Sequence, residues 1–351
     1  MDLRVTILIP TRNRPDMLAN CLQSLLRQSK RDIIQKVVVS ENSADKRSFS
    51  VAEHYSRDLP IQFIRQSHEP YAYEHIAALT HYIDSPHVAL IGDDDMWDRY
   101  HLEEAERAFA SDPTIISYYG QMIAVANETC YPLRSIGQSL MQVPTTSDRS
   151  LKDFYLWDKR LTAMHCMSHT PVNIWALVSR TEPFKEAASA SFENPEFNLL
   201  PSADKIFIWE LSKLGNTAVG RHISLFYRRH NTAEMESITS NTFSEAEESD
   251  YRITMHIAQE AMSLGIDAPQ EWRNLYSIAI SKYDLADSIH PWTSKLHNFL
   301  ILGDQPESAP ASARNKKIHT KKNYLKAFFY LITPPLLAWS LRKLRAFSIG
   351  K

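Results

Sequence analysis

Glycine is scarce in this sequence, at eight of 351 residues. No Gly-x-Gly-x-x-Gly follows a predicted strand, and Gly-x-x-x-x-Gly-Lys-Ser/Thr does not occur in the chain. These patterns build the loops that hold phosphates in dinucleotide-binding and P-loop proteins. The sequence therefore removes the main support for both classes. A nucleotide bound here is expected to be held by side chains and a metal ion rather than by a glycine-rich loop.

Cysteine is also scarce, and Cys21, Cys130 and Cys166 show no spacing typical of a metal site or a disulfide framework. His165 and His169 lie near Cys166, but this ligand set is incomplete. We predict that the segment lines a pocket or packs in the core. The N-terminus lacks the basic region, apolar core and cleavage site of an export signal. We therefore expect a cytoplasmic protein.

The C-terminal tail has no run of the roughly 20 apolar residues that span a bilayer. Residues 327–341 are uncharged, but Pro334 and Pro335 interrupt them and basic residues flank them. Residues 314–351 carry ten of the 39 Lys and Arg and no acidic residue, whereas residues 1–313 have a net charge of -12. We predict that the tail lies in the interface of an anionic membrane. A helix packed on the body or at a dimer contact is the alternative.

Strand-like and helix-like segments alternate over the first part of the chain. This alternation indicates a mostly parallel sheet that is covered by helices on both faces, and so an α/β fold. The length favours one large domain with appendages. The predicted strands are Val5 to Ile9, Val37 to Val39, Ile61 to Ile64, Val88 to Ile91 and Ile115 to Tyr119.

Polar side chains follow three of these strands at the point where the apolar run ends. They occupy residues 10–14, residues 40–43 and the stretch 92–95, which reads Gly-Asp-Asp-Asp. In an open α/β sheet, ligands bind beyond the carboxyl ends of the strands. Three adjacent aspartates repel one another unless a cation is bound or solvent is abundant. We predict a divalent metal over a diphosphate at this edge, and a solvated acidic turn is the alternative.

The three motifs resemble, in order and spacing, those of family 2 glycosyltransferases of the GT-A fold, and the resemblance covers residues 3–235. It implies a GT-A type nucleotide-binding sheet with flanking helices. It also implies a nucleotide-sugar substrate, with UDP as the expected nucleotide, and Mg²⁺ or Mn²⁺ as cofactor. The resemblance assigns Pro10, Thr11, Asn13 and Arg14 to the nucleoside and Glu41 to the nucleobase. It assigns Asp93 and Asp94 to the nucleotide-sugar, and Asp93 and Asp95 to the metal.

Asp204 is the candidate catalytic base. It lies in the first turn of a predicted helix that has Ser202 as its N-cap and ends at Gly215. The helix dipole stabilises a carboxylate there as an anion, and an ionised carboxylate can accept a proton from a hydroxyl. An exposed aspartate that only stabilises its helix is the alternative. The resemblance implies that Asp204 is the base of an inverting reaction.

A predicted strand that begins at Ile223 ends in Arg228, Arg229 and His230. Guanidinium and imidazole groups suit a leaving diphosphate, and imidazole also binds metals. An edge strand with a solvated basic end is the alternative. The resemblance implies that all three side chains bind the nucleotide-sugar and that His230 also reaches the metal.

Four ring-bearing side chains near the acidic motif are predicted to contact the sugar or the acceptor. Aromatic rings stack on the faces of sugars, although core packing is the alternative role for at least one of them. The four are Tyr71, Tyr73, His75 and Trp97.

We divide the chain into a nucleotide-sugar half (1–125), an acceptor and catalytic half (126–240), a helical C-terminal extension (241–304) and a linker with the basic, apolar tail (305–351). The predicted function is metal-dependent, inverting sugar transfer to a hydroxyl of a glycan, lipid-linked at the cytoplasmic face of the membrane, in bacterial surface polysaccharide synthesis. Nucleic acid is not an expected partner. The alternatives are a sugar-phosphate nucleotidyltransferase and a non-catalytic glycan-binding or membrane-assembly protein.

Overall fold

The computed structural model of the chain describes residues 3–43, 46–67, 72–126, 129–131, 154–168, 172–194, 196–197, 203–228 and 243–266. The chain divides into two compact units. Unit 1 comprises residues 1–133 and 146–257, and unit 2 comprises residues 134–145 and 258–351.

Four parallel strands form the first part of the sheet in unit 1, in the order β3, β2, β1 and β4. Consecutive residues of β1, such as Ile7, Leu8 and Ile9, are all fully buried, so apolar side chains are covered on both faces of the strand. The strands are Val5–Thr11 (β1), Ile34–Glu41 (β2), Ile61–Arg65 (β3) and His87–Leu90 (β4).

Helices connect these strands. Pro15 begins α1, where its fixed φ suits the first helical turn, and this helix buries Leu18, Cys21 and Leu25. The connecting helices are Pro15–Leu26 (α1), Arg47–Tyr55 (α2) and Ala72–Leu79 (α3), and His101–Ser111 (α4) follows the short strand after β4.

The second part of the sheet begins with β9, which is antiparallel to both β4 and β6, and β10 lies parallel to β6 on its other side. Short strands β5, β7 and β8 pair antiparallel with these long ones. The bounds are Met96–Trp97 (β5), Ile115–Ala126 (β6), Thr129–Tyr131 (β7), Phe154–Trp157 (β8), Leu177–Arg180 (β9) and Asn216–Arg228 (β10).

Four further helices complete the described fold. They are Lys159–Ser168 (α5), Thr181–Ser191 (α6), Ala203–Leu214 (α7) and Phe243–Ser263 (α8). Helix α7 is buried along much of its length, including the large side chains Phe207 and Trp209. The predicted α/β fold with helices around a central sheet is confirmed. The antiparallel β9 was not predicted, because a buried strand of either direction reads as a short apolar run.

Within unit 2, the structure describes the end of α8 and the turn that follows it. Gly265 has a φ of 72°, a conformation that most side chains disfavour. The amide of Ile266 donates to the carbonyl of Ala261 at 2.9 Å. This backbone bond and the positive φ end the helix in the way common for a glycine after the last turn.

Several predictions concern residues outside the described part of the chain. These are the roles of Tyr71, Arg229 and His230, the proposed N-cap Ser202, and the tail at 305–351. Within the described residues, the structure contains no helix of the length and apolar character needed to cross a membrane.

Candidate active site

The turn after β1 has an unusual backbone that turns its amides toward two carboxylates. Asn13 has a φ of 55°, a left-handed conformation that asparagine tolerates better than most residues. Its amide lies 3.3 Å from Oε1 of Glu41, and the amide of Arg12 lies 3.4 Å from Oδ2 of Asp93. Residues 11–14 therefore connect the ends of β1, β2 and β4.

The aspartates after β4 are held by the side chains of this turn. The hydroxyl of Thr11 donates to Oδ2 of Asp93 at 2.7 Å. One guanidinium nitrogen of Arg14 lies 3.0 Å from Oδ1 of Asp93 and 2.9 Å from Oδ2 of Asp94. The sequence prediction placed these residues in one site, and the structure brings them together.

Burial makes the carboxylates of this motif poor places for negative charge without a cation. Burial, with the neighbouring Asp94 charge, raises the pKa of Asp93 to about 7, although Arg14 and Thr11 oppose the shift. The pKa of Asp95 is also raised well above its usual range, first by burial and then by Asp94. A bound cation would favour the ionised forms of both groups.

Glu41 is a fully buried carboxylate at the end of β2. Its Oε1 accepts hydrogen bonds from the amides of Asn13, at 3.3 Å, and Ser43, at 3.0 Å. Its Oε2 is buried and has no hydrogen-bond partner among the described residues. Because a buried carboxylate oxygen is expected to have a partner, Oε2 is suited to accept a hydrogen bond from a ligand.

Strand β10 supplies the other side of the site. The backbone amide of Arg228, at its end, donates to Oδ1 of Asp95 at 2.9 Å. Asp95 is 0% exposed, and its Oδ2 has no hydrogen-bond partner within the part of the chain that the structure describes. The backbone of Arg228 thus brings the end of β10 to the acidic motif.

These oxygens fit the divalent metal that the fold implies. Mg²⁺ and Mn²⁺ prefer carboxylate oxygens, and Oδ2 of Asp95 is a buried oxygen that lacks another partner among the described residues. Asp93, which also carries a buried carboxylate, is the second candidate ligand. The donor set is thus compatible with a hard cation.

The sequence is similar to one known protein family. Residues 6–169, slightly less than half of the chain, match the family model described as glycosyl transferase family 2. The strand-end motifs at residues 10–14, 40–43 and 92–95 all lie within the matched region.

Solved structures of S. aureus TarS share the fold. TarS 1-349 is 15% identical to this chain, with a TM-score of 0.52, and the match covers 74% of this chain and 65% of that one. TarS 1-349 in complex with UDP-GlcNAc is 15% identical, with a TM-score of 0.54, and the match covers 85% and 86% of the two chains. The chain thus spans slightly less than two thirds of the first of these structures. No curated protein matches the sequence.

Asp204 lies in the first turn of α7, as predicted, outside the region matched by the family model. It is partly buried, whereas the next residue, Lys205, is fully buried and donates to the hydroxyl of Thr254 at 3.0 Å. The charge of Asp204 is close enough to contribute to the raised pKa of Tyr119, although burial is the larger cause. Asp204 is thus placed as an ionisable group at the start of a rigid, buried helix.

Three of the ring-bearing residues predicted to contact a sugar are described. Tyr73 is partly exposed and stacks on Phe192, with ring centroids 5.0 Å apart. His75 is 2% exposed, and its Nε2 lies 2.8 Å from the hydroxyl of Ser40. Trp97 is 3% exposed in the main apolar cluster, and its indole nitrogen donates to the carbonyl of Trp175 at 2.9 Å. A sugar contact was expected for Trp97 and His75, but both rings are covered by protein and pack in the interior.

The segment around Cys166 lies in the core. His165 is 3% exposed and stacks on Trp157, with ring centroids 4.4 Å apart. Burial lowers the pKa of His165 to about 4 and raises that of Cys166 to about 12. Both groups are therefore neutral near pH 7, which agrees with the core role among the two roles predicted.

The sequence analysis missed the residues that support the acidic motif from behind. Ser24 of α1, Gln28 just after α1 and Ser224 of β10 hydrogen-bond to the segment that follows Asp95. Polar residues on a helix face that is otherwise apolar were the only signal in the sequence, and this signal does not indicate which distant segment they contact.

Proposed function

We propose that this protein is a metal-dependent, inverting glycosyltransferase that moves a sugar from a UDP-sugar to a hydroxyl of a glycan acceptor. The observation that carries the proposal is the cluster formed by Glu41, Asp93 and Asp95 at the carboxyl ends of β2 and β4. The match of residues 6–169 to the family model described as glycosyl transferase family 2 supports the same reaction class.

Glu41 is the proposed reader of the nucleobase. Its Oε1 is occupied by two backbone amides, which leaves Oε2 to accept a hydrogen bond from a ring N–H. Uracil presents such a donor, and UDP is therefore the expected nucleotide. The solved structure of TarS 1-349 in complex with UDP-GlcNAc, which is similar in fold, supports this choice. Pro10, Thr11 and Asn13 would border the nucleoside.

Asp93 and Asp95 are the proposed metal ligands, and His230, which lies outside the described residues, is a third candidate. Mg²⁺ or Mn²⁺ bound there would supply positive charge that stabilises the departing nucleoside diphosphate. Arg14, Arg228 and Arg229 are proposed to add guanidinium groups toward the same phosphates. Thr11 and the amide of Arg228 hold the two carboxylates in place from the protein side.

Asp204 is the proposed base that removes the proton from the attacking acceptor hydroxyl. Its position at the start of α7 favours the ionised carboxylate through the helix dipole. Attack on the face opposite the diphosphate inverts the anomeric carbon, and so the base and the metal ligands must come from different parts of the chain. Tyr73 remains a candidate for an acceptor or sugar contact.

A lipid-linked glycan at the cytoplasmic face of a membrane is the proposed acceptor. The support is the sequence of the tail, where residues 314–351 combine ten basic side chains with an uncharged apolar stretch. Such a segment binds anionic lipid surfaces through charge and partial burial of apolar side chains. The same argument gives a peripheral membrane location.

The test of the metal site compares Asp95→Ala with Asp58→Ala, which changes an exposed aspartate of the same chain. Thermal shift with UDP-, GDP-, dTDP- and CDP-sugars and Mn²⁺ first identifies the nucleotide. Asp95→Ala should lose the Mn²⁺-dependent stabilisation by that nucleotide-sugar, whereas Asp58→Ala should keep it. An unchanged Mn²⁺ response in folded Asp95→Ala would contradict the proposed ligand.

The test of the base uses Asp204→Asn and the rate of nucleoside diphosphate release. We expect nucleotide-sugar affinity close to that of the parent and turnover lower by about 10²-fold or more, the usual scale for a positioned proton acceptor. Turnover within a few-fold of the parent would exclude Asp204 and direct attention to Glu193, Glu196 and Glu210. Binding without any turnover in the parent chain would favour a non-catalytic glycan-binding protein.

A further inference from the structure

The segment that follows Asp95 is fixed on one side by strand β10. Met96 and Trp97 form the short strand β5, which pairs antiparallel with β10. The amide of Asp98 then donates to the carbonyl of Ser224 at 2.8 Å. Together with the bond from the amide of Arg228 to Asp95, these contacts hold one edge of the segment.

The other side of the same segment is fixed by Gln28, which follows the end of helix α1, and by Ser24 within that helix. The side-chain amide nitrogen of Gln28 donates to the carbonyl of Asp98 at 2.8 Å and lies 3.3 Å from the carbonyl of Ser24. The Gln28 carbonyl oxygen accepts from the amide of Leu102 at 3.2 Å. The hydroxyl of Ser24 accepts from the amide of Trp97 at 3.2 Å.

Through its contact with Leu102, Gln28 caps the start of α4, which has no cap from its own N-cap residue. The first amides of a helix have no partner within the helix and need a cap. Tyr100, at the N-cap position of α4, makes no side-chain cap hydrogen bond. Gln28, which follows the end of α1, therefore caps α4 from a distant part of the chain. The same side-chain amide group also holds Asp98, three positions after Asp95.

The hydrogen bonds of the Gln28 side chain cannot readily be replaced by bonds to water. Gln28 is 5% exposed, so water cannot readily substitute for its amide. A buried amide whose donor and acceptor are both used fixes the groups around it, and the loss of either partner leaves buried polar groups unsatisfied. Metal-site geometry tolerates displacements of only about 0.5 Å. Movement of residues 96–102 would therefore be transmitted to the Asp95 carboxylate.

We propose that Gln28 is a positioning residue for Asp95, and that its amide sets the orientation of this carboxylate by joining α1, the Asp98 carbonyl and the start of α4. The proposal rests on the proposed function, in which Asp95 is a metal ligand. It assigns to Gln28 an effect on the metal-dependent part of nucleotide binding and leaves the nucleoside contacts of Glu41 unaffected.

The experiment measures how much Mn²⁺ strengthens UDP binding. Isothermal titration calorimetry gives the Kd of UDP with excess MnCl₂ and with EDTA. The Kd in EDTA divided by the Kd with Mn²⁺ isolates the contribution of the metal. The test variant Gln28→Met keeps the length of the side chain but removes its hydrogen bonds. The control Gln23→Met makes the same substitution five residues earlier, within α1, at a partly exposed residue that contacts Tyr55.

We expect the ratio of Kd values to fall by about 10-fold or more in Gln28→Met, the usual scale for residues that orient metal ligands. Gln23→Met should retain the parent ratio. Ser24→Ala removes the bond to the amide of Trp97 and the bond from the same hydroxyl to the carbonyl of Cys21, but it leaves the contacts of Gln28 with Asp98 and Leu102 in place. We expect a smaller fall in the same direction. This milder variant carries the test if Gln28→Met does not fold.

Two results would overturn the proposal, and they are distinguishable. If Gln28→Met or Ser24→Ala lowers the melting temperature but keeps the parent ratio, then these residues only stabilise the fold. If the parent chain binds UDP equally well with Mn²⁺ and with EDTA, then the metal site of the proposed function is wrong as well.

Discussion

Replacing His101 with phenylalanine should make the protein less sensitive to acid. His101 begins α4, is fully buried, and its ring packs against Trp97 with centroids 4.2 Å apart and the ring planes tilted by 33°. Its Nδ1 lies 2.9 Å from the hydroxyl of Ser224, and its Nε2 has no hydrogen-bond partner among the described residues. The folded state therefore accommodates the neutral imidazole much better than the charged one.

The size of the effect follows from the pKa of His101. Burial lowers this pKa from 6.5 to about 3. Between these two values the unfolded chain binds a proton that the folded chain does not, so stability rises with pH across this window and is lost as the pH falls through it. For one histidine with these two values, acidification from pH 8 to pH 5 lowers the free energy of unfolding by about 2 kcal/mol.

Urea unfolding at pH 8 and pH 5 measures this difference directly. The drop in the free energy of unfolding should be smaller in His101→Phe than in the parent by about 2 kcal/mol. The bond to Ser224 is lost from His101→Phe at both pH values, so its effect cancels between them. The other buried histidines are present in both proteins, so their contributions cancel between the variant and the parent. His54→Phe, which changes an exposed histidine, should keep the parent's pH dependence. Equal pH dependence in His101→Phe and the parent would refute the reasoning.

Three further predictions concern other parts of the chain. Gly120→Ala should destabilise the fold by about 1–3 kcal/mol in urea unfolding, because a Cβ there would lie 1.6 Å from the Ser224 hydroxyl; a neutral result would mean that β10 shifts freely. Glu41→Gln should weaken UDP binding in calorimetry by about 10-fold or more with and without Mn²⁺, because the amide oxygen accepts less strongly than a carboxylate; unchanged affinity would remove Glu41 from the nucleobase site. Deletion of residues 314–351 should release the protein from anionic liposomes in sedimentation and spare nucleotide-sugar hydrolysis; retained binding, or unfolding of the truncated chain, would contradict a membrane-binding tail.

Much of the nucleotide-sugar half could be predicted from the sequence, because its signals are local. The apolar runs of β1, β2 and β4 are flanked by polar residues, and parallel strands bring their carboxyl ends to one edge. This geometry requires Glu41 and Asp93 to lie near the turn after β1. The start of α7 was likewise predicted from its first-turn aspartate and its apolar pattern.

The parts that could not be predicted depend on contacts between distant residues. The position of β9 between β4 and β6 depends on the direction in which this strand runs. A strand of four residues, three of them buried, does not reveal that direction. Trp97 was assigned to a sugar because it follows the acidic motif, but it packs inward as β5 pairs with β10. The role of Gln28 arises from its contact with a segment about 70 residues away in the chain, and local periodicity carries no information about that contact.

The order of strands in the sheet has a consequence for how the molecule can be dissected and made. The region that matches the family model ends at residue 169, but β9 and β10 come later in the chain and occupy inner positions of the sheet. A fragment cut at the family boundary would expose the unpaired edges of β4 and β6, a known route to aggregation. During synthesis, the Asp95 carboxylate likewise cannot acquire its bond to the Arg228 amide until the ribosome has passed residue 228. The sheet is therefore complete only in a piece of the chain that extends at least to the end of β10.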